Sequence, residues 1–246
     1  MTTEFDLTNY RALSFDCYGT LIDWETGIAA VLVPWAREQG LELAREELLL
    51  AYGGKEGAVQ RETPSALYPD VLATAFRRTG EALGAPVSDE WAARLGGSVG
   101  DWPAFPDSPD ALARLARHYR LIIVSNVHRA GFAASNERLH GDFAAIITAE
   151  DVGAYKPAEN HFRALDAALP GLGVDRGELL HVAQSLFHDH VPAKREGLPS
   201  VWINRHHDRT GWGATPEPTE EWSYNLEFPS MAAFADAVDD AYDAGS

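Results

Sequence analysis

The stretch Arg11-Ala-Leu-Ser-Phe-Asp16-Cys-Tyr-Gly-Thr20-Leu-Ile22 decides the fold of this chain. Its apolar run, residues 12–15, predicts a short buried strand, and Gly19 and Thr20 predict a sharp turn directly after it. Asp16 is therefore expected at the carboxyl end of the strand, where open α/β sheets bind their ligands. An aspartate in this place can also simply cap the next helix. The later strands favour a functional site, because polar residues follow them too.

Four further apolar runs predict the other strands of a parallel sheet, namely residues 121–124, 143–147, 179–183 and 200–203. Ser125 and Asn126 follow the first of these runs, Lys156 follows the second and Asp189 follows the third. The carboxyl ends of parallel strands lie at one edge of a sheet. We therefore expect these side chains to gather around Asp16.

The segment between the first strand and the rest of the sheet has the periodicity of helices. Ile28, Val31, Leu32 and Trp35 recur at helical spacing, and no strand-like alternation interrupts the segment. A single crossover connection is usually much shorter. The sequence thus predicts an α/β core domain of residues 1–22 and 101–246, with an inserted helical cap domain of residues 23–100.

Composition and charge exclude several classes of protein. A chain of 246 residues with 46% hydrophobic content can bury a large core, and its single cysteine, Cys17, allows no disulfide framework. A formal net charge of −17 opposes binding to nucleic acids or to anionic membranes. The first ten residues lack the basic start and apolar run of a signal peptide, and no apolar stretch approaches membrane-spanning length. We expect a cytoplasmic protein with neither nucleic acid nor membrane as partner.

The motif formed by Asp16, Tyr18, Gly19 and Thr20 resembles the opening motif of the haloacid dehalogenase superfamily of hydrolases. The resemblance extends over nearly the whole chain, from Arg11 to Arg205. It implies a Rossmann-like parallel sheet core with an inserted all-helical cap. It also implies covalent catalysis, in which a carboxylate attacks the substrate and a water then hydrolyses the resulting ester.

Site residues follow from the same resemblance. The implied catalytic residues are Asp16 as nucleophile, Thr20, Lys156 and Asp189. The implied substrate-binding residues are Tyr18, Ser125, Asn126, Gln184 and His188. Lys156 is expected to pair with Asp16 and with Asp189, which would keep the nucleophile ionised in a buried site. The strand-end pair Ser125 and Asn126 is expected to hold the substrate carboxylate or the water, although such a pair is more often simple turn chemistry.

Two positions favour chemistry without a metal. Magnesium phosphatases of the superfamily carry a second aspartate two positions after the first and another five positions before Asp189, whereas this chain has Tyr18 and Gln184 there. Magnesium is bound through hard oxygen ligands, usually including one or two carboxylates. We therefore expect no metal and no cofactor, with Mg²⁺ required only if the protein is a phosphatase.

The leaving group stays open at the level of sequence. L-2-haloacid dehalogenases hold the halide partly through an arginine on a cap helix, and residues 51–57 contain none in register, leaving Lys55 or Arg61 as substitutes. Three stretches, residues 16–27, 102–107 and 185–190, resemble L-azetidine-2-carboxylate hydrolases of the same branch, which open a strained ring. The clustered His188 and His190 fit that second activity. The expected substrate is a small 2-substituted carboxylic acid of either kind, with a phosphomonoester as the alternative.

A non-catalytic binding module is the alternative from a different class of function. It would require Asp16 and Lys156 to be inactive. The sequence retains both residues and also the strand-end pair Ser125 and Asn126. Dehalogenases of this branch are often dimers. The resemblance therefore also implies a homodimer.

Overall fold

The structure is a computed structural model that describes residues 5–208 and 214–245, so residues 1–4 of the segment compared with a signal peptide lie outside it. Six strands form one parallel sheet: β1 (Ala12–Phe15), β2 (Arg120–Ser125), β3 (Phe143–Thr148), β4 (Leu179–Ala183), β5 (Ser200–Ile203) and β6 (Leu226–Phe228). Their spatial order is β3-β2-β1-β4-β5-β6. The prediction of a Rossmann-like parallel sheet is confirmed.

Helices surround this sheet on both sides. Five of them lie between β1 and β2, and the first four are α1 (Trp24–Glu38), α2 (Arg45–Glu62), α3 (Tyr68–Ala82) and α4 (Asp89–Gly96). The others are α5 (Ser108–Leu115), α6 (Arg129–Leu139), α7 (Ala149–Val152), α8 (Asn160–Leu172), α9 (Val191–Arg195) and α10 (Met231–Ala244). The predicted all-helical insertion is therefore present. Its boundaries at residues 23 and 100 stay a prediction.

β1 occupies the centre of the sheet because its side chains are apolar or small on both faces. All four residues of the strand are buried, and it pairs in parallel with β2 on one side and β4 on the other. Strands covered on both faces are typical of parallel sheets whose crossovers are helical. Asp16 follows directly, so the central strand delivers it to the carboxyl edge of the sheet.

The first cap helix is tied closely to the chain that returns to the core. Asp23 caps α1 by accepting a hydrogen bond from the backbone N–H of Thr26 at 3.0 Å. A Cβ atom on Gly27 would lie 2.2 Å from the ring of Trp102, so only glycine allows that ring to pack against the helix. Trp35 meets Phe76 of α3 edge to face, with ring centroids 5.0 Å apart. These contacts hold the cap helices as a packed layer over the site.

The carboxyl-terminal part of the chain adds two elements that the sequence analysis did not predict. β6 has only three residues and lies at the sheet edge beside β5. α10 buries Met231, Phe234, Ala235 and Val238 and begins after Ser230, whose side chain accepts the N–H of Ala233 at 3.1 Å. In the described parts of the chain, no helix has the length and apolar character needed to cross a membrane.

Candidate active site

Three charged side chains meet at the carboxyl edge of the sheet. Nζ of Lys156 lies 2.9 Å from Oδ1 of Asp16 and 2.7 Å from Oδ1 of Asp189, and it also donates to the carbonyl oxygen of Val124 at 2.8 Å. An ammonium group has three N–H donors. All three are therefore engaged by protein acceptors, and the lysine acts on its two carboxylates from a fixed position.

Burial and charge shift the pKa values of this cluster in different directions. Burial raises the pKa of Asp16, and the positive charge of Lys156 offsets only part of that rise. Burial would also raise the pKa of Asp189, but Lys156 and a hydrogen bond from His181 hold it well below its usual range. Burial opposes the charge on Lys156, yet its two carboxylates raise the pKa of its ammonium group. Asp189 is thus the permanent anion and Asp16 the more easily protonated one.

Thr20 fixes the second oxygen of the Asp16 carboxylate. Its hydroxyl donates to Oδ2 of Asp16 at 2.7 Å and accepts the backbone N–H of Gln184 at 2.9 Å. Arg205 reaches back from the end of β5 and donates to the carbonyl oxygen of Thr20 at 2.8 Å, while Asp107 holds its guanidinium with two contacts of 2.9 Å. Hydrogen bonds from Gln184 and Arg205 therefore hold the turn after β1 in place. Each oxygen of Asp16 has its own donor, Lys156 for Oδ1 and Thr20 for Oδ2.

Asn126 holds Lys156 by its backbone. Oδ1 of Asn126 accepts the N–H of Lys156 at 2.6 Å, and Nδ2 donates to the carbonyl oxygen of the same residue at 3.2 Å. Asn126 also lines the cavity described below. Its observed contacts thus position the lysine, and its predicted contact with substrate stays a prediction.

Ser125 is not among the described residues that line the cavity. Its side chain is fully buried, and its hydroxyl has no hydrogen-bond partner among the described residues. Its carbonyl oxygen lies 3.2 Å from Nε2 of His161, a buried histidine of α8. The predicted contact of Ser125 with substrate therefore stays a prediction.

A cavity of about 650 Å³, including its open mouth, lies between the cap helices and Asp16. Its described lining consists of Asp16, Tyr18, Trp24, Gly53, Glu56, Gly57, Gln60, Tyr68, Asn126, Lys156, Gln184, Ser185, His188, Asp189, Ala214, Thr215 and Pro216. Lys55 and Arg61, the suggested substitutes for a halide-binding arginine, do not belong to this lining. The described lining therefore contains one permanent cation, Lys156, and that cation is already paired with two carboxylates.

The three remaining predicted contact residues do line the cavity. The hydroxyl group of Tyr18 lies 2.8 Å from Oγ of Ser135, and its ring meets that of Trp102 edge to face. Nδ1 of His188 lies 3.0 Å from Oγ of Ser185, and burial lowers the pKa of this histidine to about 4. Gln184 lines the cavity beside the turn that contains Gly19, where φ is +100°.

His190 does not share the cavity with His188. It is fully buried, with Nδ1 at 2.9 Å from Oγ of Ser200 and Nε2 at 3.0 Å from the carbonyl oxygen of Ala183. The two histidines lie on one π-helical turn, Leu186–His190, that points them in different directions. Of the two histidines, only His188 is therefore placed to contact a substrate.

Two residues of the site were missed by the sequence analysis. His181 in β4 connects Ser14 to Asp189, with Nδ1 at 2.9 Å from Oγ of Ser14 and Nε2 at 3.1 Å from Oδ1 of Asp189. A histidine inside a fully buried strand needs polar partners, and that requirement was a usable signal. Glu56 in α2 faces the cavity, but its helix carries no pattern that marks this side chain.

The described residues do not fit a magnesium site of the phosphatase kind. No group of three or more histidine, cysteine or acidic side chains in residues 5–208 and 214–245 is arranged to hold a metal ion. Tyr18 directs its hydroxyl to Ser135, and Asp16 and Asp189 both pair with Lys156. A hard cation beside Asp16 would therefore find only this lysine-paired couple of carboxylates, because Tyr18 and Gln184 supply none.

Comparison with known proteins identifies the family. A sequence model of the haloacid dehalogenase-like hydrolases matches residues 10–183. The chain belongs to this family of hydrolases, as the motif around Asp16 indicated. No curated protein matches the chain at a significant level.

Solved structures share the fold at low sequence identity. The L-2-haloacid dehalogenase RSc1362 matches with a TM-score of 0.77 and 22% identity over 94% of this chain and 99% of its own. The L-2-haloacid dehalogenase from Xanthobacter autotrophicus, also solved with chloropropionic acid covalently bound, matches with a TM-score of 0.73 and 20% identity over 94% and 98%. The putative HAD-hydrolase YfnB from Bacillus subtilis, solved bound to magnesium, matches with a TM-score of 0.72 and 18% identity over 94% and 99%. The likeness shows the fold, and one of these matching structures, YfnB, is described with magnesium bound.

Proposed function

We propose that this hydrolase acts on a small 2-substituted carboxylic acid through a covalent ester of Asp16. The observation that carries the proposal is the ion triad of Asp16, Lys156 and Asp189 on the wall of the cavity. One member of the triad, Asp16, is a carboxylate with a small exposed fraction, and it faces the space where a substrate would lie. A haloacid is the leading candidate substrate by resemblance, with hydrolytic opening of a strained ring acid as its competitor.

The first step is attack at carbon. An oxygen of Asp16 forms a bond to C2 of the substrate while the bond to the leaving group breaks and its electron pair departs with that group. Thr20 and Lys156 hold the two carboxylate oxygens, so the nucleophile is oriented before the substrate arrives. Loss of the Asp16 charge in the ester leaves Lys156 paired with Asp189, and that pair keeps the lysine ionised throughout.

The second step hydrolyses the ester at Cγ of Asp16. A water oxygen adds to this carbon, an oxyanion forms, and the 2-hydroxy acid leaves with one of the original Asp16 oxygens. Lys156 and the Thr20 hydroxyl are the donors next to that oxyanion. The low pKa of Asp189 makes it a weak base, so its role is to orient Lys156. Its Oδ2 has no hydrogen-bond partner among the described residues and is a free acceptor beside the triad.

Phosphoryl transfer with magnesium is the less favoured alternative. The fold alone does not decide, but the donor set favours a reaction without magnesium, because Tyr18 and Gln184 replace the two carboxylates that such chemistry would use. A small carboxylic acid therefore stays the proposed substrate.

We also propose that the protein forms a homodimer, and this proposal rests on resemblance alone.

The test is a single turnover in heavy-oxygen water with enzyme in excess. L-2-chloropropionate, L-azetidine-2-carboxylate and p-nitrophenyl phosphate are compared, each with EDTA and with magnesium. We expect one carboxylic acid to be turned over in EDTA and heavy oxygen to enter the Asp16 peptide. Asp16→Asn should be inactive, while Asp142→Asn, at an exposed position, should retain full activity. Heavy oxygen found only in the product, or phosphate release that needs magnesium, would overturn the proposal.

A further inference from the structure

On the side of the cavity formed by α2 lies a carboxylate, that of Glu56, which the proposed reaction does not use. Glu56 projects from α2 into the lining, and only part of its surface is accessible. Its Oε1 accepts the hydroxyl of Tyr68 at 2.8 Å and the side-chain amide of Gln60 at 3.3 Å. No described residue donates to Oε2. One oxygen of Glu56 is therefore anchored, and the other is left without a protein donor.

The charges around the cavity make this carboxylate unusual. The triad already carries two carboxylates against one ammonium, and every N–H of Lys156 has a protein acceptor. Among the described lining residues, no other lysine or arginine is present to balance Glu56. An ionised Glu56 would thus give the described lining a surplus of negative charge, which is unfavourable unless a cation from outside balances it.

The described lining of the cavity is poorly suited to a halide leaving group. A departing halide gains negative charge, and it would do so near carboxylates with no spare N–H from Lys156. A nitrogen leaving group behaves differently, because a protonated nitrogen brings a positive charge that Glu56 can pair with. Desolvation in the cavity strengthens such a pair relative to one in water.

We propose that Glu56 binds a positively charged nitrogen of the substrate, so that the enzyme selects small 2-substituted acids with a basic nitrogen bonded to C2 over haloacids. The inference deepens the proposed function and rests on it, because it assigns the leaving group of the same Asp16 ester. Glu56 is then the residue that determines specificity, and Tyr68 and Gln60 hold it in place.

The reaction balances without any further reagent. Asp16 attacks C2, the C2–N bond breaks, and its electron pair stays on nitrogen, which becomes a neutral amine. The negative charge of Asp16 and the positive charge of the nitrogen disappear together in this step. Hydrolysis of the ester consumes one water, regenerates the Asp16 carboxylate and releases one proton, which the amine takes up.

The protonation of Glu56 provides a signature of this role. Burial raises the pKa of Glu56 to about 7, although the hydrogen bond from Tyr68 lowers it in part. The groups that face Glu56 are Tyr52 on its own helix, Tyr68 on α3, Tyr155 after α7, and, across the cavity, Asp16, Lys156, His188 and Asp189. The tyrosines among them have pKa values raised by burial, so they stay neutral near pH 7. A cationic substrate should therefore bind better as pH rises through about 7 and Glu56 ionises.

Binding separates this inference from the chemistry. In the inactive Asp16→Asn protein, calorimetry measures the affinity for L-azetidine-2-carboxylate and for cyclobutanecarboxylate, which has the same ring without nitrogen. Adding Glu56→Gln should weaken binding of the first ligand by about 10- to 100-fold, the range for a lost charge-assisted hydrogen bond, and leave the second unchanged. Glu62→Gln, on the exposed side of the same helix, is the matched control and should change neither.

Kinetics supply the second readout. In the Asp16-intact enzyme, Glu56→Gln should raise KM for the basic substrate and remove the rise of kcat/KM through pH about 7. Equal loss of affinity for both ligands, or efficient turnover of L-2-chloropropionate that Glu56→Gln leaves unchanged, would overturn the role of Glu56 while leaving the Asp16 ester intact. Absence of heavy oxygen in the Asp16 peptide with every substrate would instead overturn the proposed function itself.

Discussion

Asn126 holds the backbone of Lys156 with two hydrogen bonds. Its Oδ1 lies 2.6 Å from the backbone nitrogen of Lys156, and its Nδ2 lies 3.2 Å from the backbone carbonyl oxygen of the same residue. This clamp connects the end of β2 to the loop after α7. The ammonium group can reach Asp16 and Asp189 together only if the lysine backbone stays in place. Asn126 therefore supports the site through Lys156, whatever else it contacts in the cavity.

Replacing Asn126 by alanine should remove both hydrogen bonds that hold the backbone of Lys156 to the end of β2. The buried N–H of Lys156 would lose its acceptor, which typically costs about 1–3 kcal/mol of stability. We expect kcat to fall by about 10- to 100-fold, because small displacements of a catalytic group have effects of this size. Urea unfolding and steady-state kinetics measure the two effects. A variant with reduced stability but unchanged kcat would contradict the positioning role.

Removal of the Thr20 hydroxyl should slow ester formation and hydrolysis. Thr20→Val keeps the shape of the side chain but removes the donor to Oδ2 of Asp16. We expect kcat to fall by about 10²-fold, as when one donor of an oxyanion site is lost. The N–H of Gln184 also loses its acceptor, so stability should fall by about 1–3 kcal/mol.

Thr20→Ser is the matched control for this variant. It keeps the hydroxyl and should retain most of the activity and most of the stability. Similar kcat values for the valine and serine variants would show that the hydroxyl does not act on Asp16.

The sheet could be predicted from sequence because its inner strands are continuous apolar runs. β1, β4 and β5 coincide with the predicted segments, and β2 and β3 differ from them by a residue at one or both ends. β6 was not predicted because it is a three-residue edge strand whose side chains are partly buried or exposed. α10 carried a detectable signal, since its buried residues recur at helical spacing after the capping residue Ser230.

The site was predictable where it depends on strand ends, and it was not where it depends on packing. Asp16, Lys156 and Asp189 follow strands, so the topology of a parallel sheet brings them together. Glu56 reaches the cavity only because α2 packs with that face inward and Tyr68 of α3 meets it. Neither relation is visible in the local sequence, where Glu56 resembles any charged helical residue.

Activity should depend on the protonation of Asp16. Only the carboxylate is a nucleophile, and burial raises its pKa above the ordinary value of about 3.9. kcat/KM should therefore decline as pH falls, beginning at a higher pH than a solvent-exposed aspartate would require. A pH profile with a substrate that has no basic nitrogen, such as L-2-chloropropionate, together with a carbon NMR titration assigned through Asp16→Asn, measures this shift. An inflection at or below about 3.9 would contradict it.

Loss of the lysine should change how stability depends on pH. Lys156→Met leaves Asp16 and Asp189 buried without their cation, and breaking a buried pair in this way costs about 3–5 kcal/mol. Without Lys156, burial raises the folded pKa values of both carboxyl groups above their unfolded values. Their protonated forms then favour folding at low pH, and that stability is lost as pH rises through the folded pKa values.

The wild-type protein should respond in the opposite direction in the acid range. Asp189 has a folded pKa well below its usual value, so its contribution is present above the unfolded pKa and disappears as pH falls. The destabilisation by Lys156→Met, measured by urea unfolding, should therefore be smaller at pH about 5 than at pH about 8. Lys194→Met, an exposed lysine paired with Glu221, is the control and should show no such pH dependence. Equal destabilisation by Lys156→Met at both pH values would mean that the two carboxylates do not depend on this lysine for their charge.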